Sequence, residues 1–277
     1  MKIDTHQHFW SYNDQDYVWM SAAMGKLRRD HLPTDLLPLM HEGGIDATIA
    51  VQARQSFKES TWLLELAKEY SFIRGVVGWV DLCNEAVLDQ LEQLAQHPKL
   101  CGVRHVLHDE PDDEFMLRKT FLNGLQQLQR FGLTYDLLLF PRHLPIARSL
   151  VHMFPDQPFV LDHIAKPPVR TGETEPWATE LKRLAEFPNV FCKISGLVTE
   201  GDWNSWRAQD FEPYLDVVMN AFGPQRLMIG SDWPVCTLAA DYVSVIDLEV
   251  DFIAKFSVDE QRAILQENPI KFYSLPA

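Results

Sequence analysis

This 277-residue chain lacks the sequence features of secreted, membrane-spanning and nucleic-acid-binding proteins. No apolar run approaches the roughly 18 residues that a membrane-spanning helix needs, and the amino terminus has no apolar signal region. The chain is acidic, with 39 Asp and Glu residues against 25 Lys and Arg and a net charge of −14. Because nucleic acids and anionic membranes bind through basic patches, neither is an expected partner. A cytoplasmic location is expected.

Cysteine is also scarce, with four residues and no Cys-x-x-Cys pair. They lie in or beside apolar runs, where reduced, buried thiols are common. The four are Cys83, Cys101, Cys192 and Cys236. The motifs Gly-x-Ser-x-Gly, Walker A and His-Glu-x-x-His are missing as well. The first apolar run is followed by His-Gln-His-Phe-Trp instead of a glycine-rich phosphate loop, which disfavours an open doubly wound sheet.

Short apolar runs typical of β-strands alternate along the chain with longer amphipathic stretches. The strand-like runs are residues 2–5, 47–52, 75–80, 102–106, 134–139, 159–161, 190–194 and 227–229. Helical periodicity marks residues 59–70, 84–96, 115–131, 144–154, 175–187, 206–222 and 240–252. Ser257 and Glu260 have the spacing of a capping box at the start of a last helix. This alternation predicts a single α/β domain over residues 1–277, a distorted (β/α)8 TIM-type barrel.

Residues 9–38 are too long for a simple connection between the first strand and a helix. The segment is rich in aromatic and basic residues. Long loops after barrel strands lie over the site at the carboxyl ends of the strands. We therefore predict that this first loop is a lid or a pocket wall. Its Trp10 and Trp19 would either stack on a sugar ring or close the mouth of the barrel.

Polar residues at the ends of the predicted strands are the site candidates, because the strand ends of a barrel face one cavity. They are His6, His8, Gln52, Arg54, Trp79, Asp81, Arg104, His105, His108, Asp136, Asp162, His163, Lys166, Lys193, Ser195, Ser231, Asp232 and Trp233. Ionisable groups inside a barrel must be paired or functional. Such a concentration of charge indicates an active site.

Four of these residues are predicted to be catalytic. His6 and His8 are two apart on a strand, so their rings face the same side. Two converging imidazoles bind a divalent metal or hydrogen-bond to a substrate oxygen. His163 and Asp232 end two further strands, and a carboxylate in a partly dry pocket is suited to take a proton from water. The same four residues are the predicted ligands if one divalent ion such as Zn²⁺ is bound; no required cofactor is the alternative.

A small-molecule substrate is the expected partner. The residues predicted to bind it are Trp10, Trp19, Gln52, Arg54, Arg104 and His108. Five cations are candidates for holding a substrate oxygen or stabilising an oxyanion. These cations are Arg54, Arg104, Arg142, Lys166 and Lys193. Asp136, within an apolar run, is interpreted as structural.

Five segments, taken in order, resemble the amidohydrolase superfamily and, within it, the amidohydrolase-2 branch of lactonases. They read Asp-Thr-His-Gln-His-Phe-Trp from Asp4, Val-Leu-Asp-His from Val160, Cys-Lys-Ile-Ser-Gly from Cys192, Ile-Gly-Ser-Asp-Trp-Pro from Ile229 and Asn-Pro-Ile-Lys-Phe-Tyr from Asn268. L-fuconolactonases, L-rhamnonolactonases and 2-pyrone-4,6-dicarboxylate lactonases belong to this branch. The resemblance spans essentially the whole chain.

The resemblance implies a distorted barrel and hydrolysis of a lactone to a hydroxy acid. It carries a general-base role onto Asp232 and the histidine positions of the family onto His6, His8 and His163. Binuclear members of the superfamily hold a carboxylated lysine at the fourth strand, where this chain has Arg104. A two-metal site is therefore not expected, and one ion or none remain the alternatives.

The interpretation favoured here is a sugar-acid lactone, on the grounds of the aromatic first loop, the polar Gln52 and the acidic charge. A pyrone dicarboxylate is the alternative substrate and would need several arginines. A decarboxylase of the same branch, dependent on one zinc ion, is a second alternative. A sugar-binding barrel without turnover is a third.

Overall fold

The computed structural model describes residues 1–275, which contain eight parallel strands, each paired with the next in chain order. They are β1 (Ile3–Gln7), β2 (Ala47–Val51), β3 (Ile73–Gly78), β4 (Leu100–His105), β5 (Thr134–Leu137), β6 (Phe159–Leu161), β7 (Val190–Ser195) and β8 (Leu227–Gly230). Between β8 and β1, a bridge pairs Gln7 with Trp233, and the Thr5 hydroxyl donates to the Ile229 carbonyl at 2.6 Å. The predicted (β/α)8 barrel is confirmed.

Helices surround the barrel. They are α1 (Pro33–Glu42), α2 (Phe57–Glu69), α3 (Val87–Leu94), α4 (Lys119–Gln127), α5 (Leu144–Met153), α6 (Trp177–Ala185), α7 (Leu197–Glu200), α8 (Ala208–Phe222), α9 (Tyr242–Ile253), α10 (Val258–Arg262) and α11 (Asn268–Phe272). The predicted capping box is present: the Ser257 hydroxyl accepts from the Glu260 N–H at 3.3 Å, and the Glu260 carboxylate accepts from the Ser257 N–H at 2.8 Å. Within residues 1–275, no helix combines the length and the apolar character needed to span a membrane.

The predicted boundary of the first loop is wrong at its end, because α1 begins at Pro33 and takes in residues 33–38. Proline is well suited to the first helical position, since the N–H it lacks has no partner there. The carboxylate of Asp35 accepts the N–H of Leu32 at 2.9 Å and caps the helix. A second proline, Pro38, lies inside the helix. Because proline is unfavourable inside helices, residues 33–38 did not show the sequence pattern of a helix.

The first loop has a small core of its own. Trp10, Tyr17, Met20 and Leu27 pack with Leu238 from the segment after β8. Two backbone hydrogen bonds between Trp10 and His31 close the loop at its base. The loop therefore packs against the segment that follows β8, and its role as a lid or pocket wall stays a prediction.

At the amino end of the strands the barrel interior is apolar. Its side chains form one cluster with the carboxyl-terminal residues Phe272, Tyr273 and Leu275. The ring of Phe272 packs at a tilt of 46° against Phe191 near the start of β7, with ring centroids 4.8 Å apart. The Asn268 amide donates to the carbonyl of Leu227, where β8 begins, at 2.7 Å. The carboxyl-terminal segment thus closes this end of the barrel.

Candidate active site

The last and first strands bring Asp232 next to His6. Gly230 ends β8, and a Cβ atom there would lie 2.7 Å from the Cβ of His6, so a glycine is needed for this approach. The backbone of Asp232 is left-handed, with φ of +55°, and its N–H donates to the His6 carbonyl at 2.7 Å. The His8 N–H donates to the Trp233 carbonyl at the same distance of 2.7 Å. These bonds place the Asp232 carboxylate beside both histidines.

Three imidazoles surround one carboxylate oxygen. Asp232 Oδ1 lies 3.3 Å from Nε2 of His8. The same oxygen lies 3.9 Å from Nε2 of His6 and 3.9 Å from Nε2 of His163. The four side chains are no more than 6% exposed. The structure therefore brings together all four residues that were predicted to be catalytic.

The other ring nitrogens are held by separate partners. His8 Nδ1 lies 2.8 Å from the Val51 carbonyl oxygen, and His163 Nδ1 lies 2.9 Å from the Ser195 hydroxyl. A carbonyl only accepts, so neutral His8 carries its proton on Nδ1 and presents the Nε2 lone pair to Asp232. Two acceptor atoms 3.3 Å apart repel one another unless a proton or a metal ion lies between them. The cluster is therefore arranged to hold a positive charge.

A left-handed turn presents His163. Residues His163, Ile164, Ala165 and Lys166 all have positive φ, from +47° to +61°, although none is glycine. Such a conformation costs roughly 1–2 kcal/mol per residue, which indicates a functional constraint. Gly196, after β7, makes room for the ring, because a Cβ there would lie 2.5 Å from His163 Nδ1.

A buried network of charges adjoins the cluster. Lys193 Nζ lies 2.6 Å from Asp136 and 3.0 Å from Asp162. The same atom lies 3.2 Å from His6 Nδ1. Arg104 Nη1 lies 3.0 Å from Asp162 and 3.2 Å from His6 Nε2. Buried ions need such partners, and the network places a cation beside each ring nitrogen of His6, of which a neutral imidazole accepts at one.

Burial and these neighbours set the charge states. Burial alone would raise the pKa of Asp232, but the surrounding histidines lower it, and the carboxyl is ionised at neutral pH. Burial lowers the pKa of His163 to about 3. Burial likewise holds the pKa of His6 well below its ordinary value, against the pull of Asp162. An ionised carboxylate beside His6 and His163, whose pKa values burial lowers, can bind a cation, and it is available as a proton acceptor although its lowered pKa weakens it as a base.

The donor atoms fit one divalent ion. His6, His8 and Asp232 offer ligand atoms within 4.8 Å of one another, and His6, Asp162 and His163 form a second such group. Imidazole and carboxylate donors suit Zn²⁺, and the hydrogen bonds at the far ring nitrogens are those that orient metal-bound histidines. Both groups share His6, and Lys193 already pairs with Asp162. Residues 1–275 therefore support one ion here rather than two.

The two tryptophans of the first loop differ in depth. Trp10 is fully buried, and its indole N–H donates to the carbonyls of Leu27 at 3.2 Å and Arg29 at 2.9 Å. Trp19 is partly buried and meets Trp10 edge-on, with centroids 5.9 Å apart. The burial of Trp10 favours closing the barrel mouth over stacking on a sugar. For Trp19, contact with substrate stays a prediction.

The residues after β2 have partners within the protein. The amide nitrogen of the buried Gln52 donates to the Arg104 carbonyl at 3.3 Å. Arg54 lies 2.6 Å from Asp16 of the first loop and 3.8 Å from Glu59. Arg54 therefore ties the first loop to the barrel. Substrate contact by Gln52, Arg54 and Arg104 stays a prediction, with Arg104 only 4% exposed.

The histidines near β4 lie on opposite sides. His108 stacks on Phe140 with centroids 4.6 Å apart and is 14% exposed, with its pKa lowered by burial to about 3. It stays a predicted contact for a neutral substrate. His105 instead stacks on Phe115 of the outer layer, with centroids 4.9 Å apart. Arg142, another candidate cation, is half exposed.

Asp4 was missed by the sequence reasoning as a site-building residue. One of its carboxylate oxygens accepts the N–H of His6 at 3.1 Å and that of Ser231 at 2.9 Å. The other accepts the Ser231 hydroxyl at 2.6 Å and the Tyr242 hydroxyl at 3.1 Å. Asp4 thus clamps β1 to the end of β8. The amino-terminal motif contains it, but nothing in the motif shows a partner 227 residues away.

Eight parallel strands with a histidine–aspartate cluster at their carboxyl ends define the class of the protein, a (β/α)8-barrel enzyme. The chain belongs to the amidohydrolase family, whose Amidohydro_2 model matches residues 3–275. The family predicted from the five sequence segments is thereby confirmed.

Three relatives are similar over most or all of the chain. An L-fucono-1,5-lactonase of Burkholderia multivorans is 42% identical and covers 100% of this chain and 97% of its own. An L-fucono-1,5-lactonase of Burkholderia ambifaria is 37% identical, covering 87% of this chain and 83% of its own. The crystal structure of an amidohydrolase from Burkholderia multivorans with bound Zn is 43% identical, covers 100% of both chains and has a TM-score of 0.94.

Proposed function

We propose that this protein hydrolyses a sugar-acid lactone, with Asp232 activating the attacking water. One observation carries the mechanism: the Asp232 carboxylate lies at the carboxyl end of the barrel, 3.3–3.9 Å from three imidazole nitrogens. The substrate class is supported by the two relatives named L-fucono-1,5-lactonase, at 42% and 37% identity.

In the proposed reaction one proton is transferred twice, first to Asp232 and then from it. Asp232 takes a proton from water while the water oxygen bonds to the lactone carbonyl carbon and the carbonyl π electrons move to the carbonyl oxygen. When the carbonyl re-forms, the bond from this carbon to the ring oxygen breaks, and Asp232 returns the proton to that oxygen. The product is the open-chain hydroxy acid, which releases a proton on ionising at neutral pH.

His6, His8, His163 and Asp232 would hold a single divalent ion. Such an ion, when bound, would act as a Lewis acid and polarise a carbonyl. Arg104 Nη1, however, lies 3.2 Å from His6 Nε2, and a permanent cation so close to a ligand atom weakens metal binding. We therefore propose weak, readily reversed metal binding at this site.

A neutral substrate suits the site better than a dicarboxylate. Recognition of two carboxylates calls for guanidinium groups with free donors. Arg54 is paired with Asp16, and Arg104 is paired with Asp162. Hydroxyl groups of an aldonolactone, by contrast, suit the neutral His108, which is 14% exposed. This supports a sugar lactone over 2-pyrone-4,6-dicarboxylate.

A pH-indicator screen tests the function. Wild-type protein is mixed with aldonolactones, including L-fucono-1,5-lactone and L-rhamnono-1,4-lactone, and with 2-pyrone-4,6-dicarboxylate, each with and without EDTA. We expect proton release well above the spontaneous rate for at least one aldonolactone, largely retained in EDTA. If no aldonolactone is opened, the proposal fails. Release of CO2 from an aromatic acid, abolished by EDTA, would favour the decarboxylase instead.

A further inference from the structure

Three cations lie near the Asp232 cluster, and they differ in burial and in how firmly the buried network holds them. Lys193 has three N–H bonds, and three acceptors lie within 3.2 Å of its Nζ: Asp136, Asp162 and His6. Its side chain is fully buried. Lys193 is therefore paired with two carboxylates and out of reach of a substrate.

Arg104 is held within the buried network. Its Nη1 donates to Asp162 and lies 3.2 Å from His6 Nε2, its Nη2 donates to the Gln52 carbonyl at 2.5 Å, and its Nε has no partner among the described residues. Only 4% of its side chain is exposed. Moving this guanidinium toward a ligand would break several buried hydrogen bonds at once, which is costly.

The Lys166 ammonium has N–H donors without a partner among the described residues. Among residues 1–275 its ammonium has one hydrogen-bonding partner, Glu200, at 2.9 Å, so two N–H bonds are free. Its side chain is 16% exposed, which leaves it open to a ligand. The left-handed turn places it three residues after His163, to whose carbonyl its own N–H donates at 2.7 Å. The turn therefore presents both side chains together.

The charge of Lys166 acts directly on the cluster. Burial lowers the pKa of Lys166, but Glu200 and Asp232 raise it further, so the ammonium is charged at neutral pH. Its charge in turn contributes to the lowered pKa of His163 and of His108, after the larger effect of burial in each case. Lys166 is thus a charged donor on the same left-handed turn as His163.

We propose that Lys166 is a catalytic residue that donates a hydrogen bond to the lactone carbonyl oxygen and stabilises the oxyanion formed when water attacks. This inference rests on the proposed function. As the carbonyl oxygen gains negative charge, a free ammonium donor in a water-poor site strengthens its hydrogen bond. Glu200 holds the ammonium in place beforehand, so little reorganisation is needed during the reaction.

The test compares wild-type protein with Lys166→Met and Lys166→Arg, using the aldonolactone that the wild type opens fastest. Loss of an oxyanion donor costs about 10²–10³ in kcat, so we expect a loss of about 10²-fold or more in Lys166→Met, with KM changed less than threefold. Lys166→Arg should recover at least tenfold of that loss, because it restores a charged donor. Lys68→Met, on the exposed face of α2, removes the same charge and should keep wild-type kcat.

Folding is checked by thermal melting. Methionine and arginine carry a Cβ as lysine does, so both variants have the same backbone strain at the positive φ of this position. The product hydroxy acid gives a second measurement, because its carboxylate should bind at least tenfold more weakly to Lys166→Met in calorimetry. Equal kcat and equal product affinity in folded Lys166→Met would overturn the role of Lys166. A raised KM with unchanged kcat would also overturn it, since that marks uniform binding. A wild type that opens no lactone would instead refute the proposed function.

Discussion

The barrel interior has two ends of opposite chemistry. At the amino end, side chains such as Ile49, Val77 and Met228 form a hydrophobic cluster with the carboxyl-terminal Phe272. At the carboxyl end, ionisable side chains take their place, and each needs a partner to be buried. Burial of apolar side chains stabilises the first region. In the second region, the buried charges lower the stability of the fold and are held in a reactive arrangement. Substitutions in the two regions should therefore fail in different ways.

The sharpest contrast is expected for Asp232→Asn. We expect kcat for lactone hydrolysis to fall about 10³-fold, because the amide cannot take a proton from water. The free energy of unfolding should change little, since asparagine tolerates the left-handed φ of +55° at this position. Asp216→Asn, at an exposed site, is the control for an ordinary surface amide. Substantial lactonase activity in a folded Asp232→Asn protein would refute the general-base role.

Lys193 lies where the two regions meet, since Tyr273 of the apolar end donates to the same Asp136 oxygen at 2.9 Å. Lys193→Met leaves Asp136 and Asp162 without their shared cation, and breaking a buried pair costs about 3–5 kcal/mol. Urea unfolding should show a loss of stability of that size together with lower kcat. Lys255→Met, which breaks an exposed pair with Asp216, should cost less than about 1 kcal/mol. Equal losses in the two variants would show that the buried network is not structural.

The strands and their polar ends were predictable because barrel strands are buried on both faces and read as continuous apolar runs. Every predicted strand is present, with ends shifted by two residues or fewer. The partners of the site residues were not predictable. Arg104 and Asp162 are 58 residues apart, and no local pattern shows that they form a buried ion pair. The left-handed turn that presents His163 and Lys166 contains no glycine, so no sequence signal predicted it. The sequence therefore yielded five candidate cations without ranking them.

The apolar end should show the opposite failure from the site. Ile49 is fully buried there, and Ile49→Ala removes three methyl or methylene groups and leaves a cavity, at a cost of about 3 kcal/mol. We expect kcat at 25 °C to stay within threefold of wild type. Val258→Ala, at a 76% exposed site, should leave stability nearly unchanged. A large loss of kcat in folded Ile49→Ala would mean that the two ends of the interior are coupled.

The smallest expected effect separates backbone strain from the placement of His163. Gly196 and Gly172 both have positive φ, +62° and +73°, so alanine strains the backbone at either position by about 1 kcal/mol. A Cβ at Gly196 would lie 2.5 Å from His163 Nδ1, whereas a Cβ at Gly172 meets nothing within 4 Å. We expect Gly196→Ala to lower kcat about tenfold, because a shifted imidazole disturbs the pocket around Asp232. Gly172→Ala should lose similar stability and keep its kcat. Identical kcat values for the two variants would show that the position of His163 does not limit the reaction.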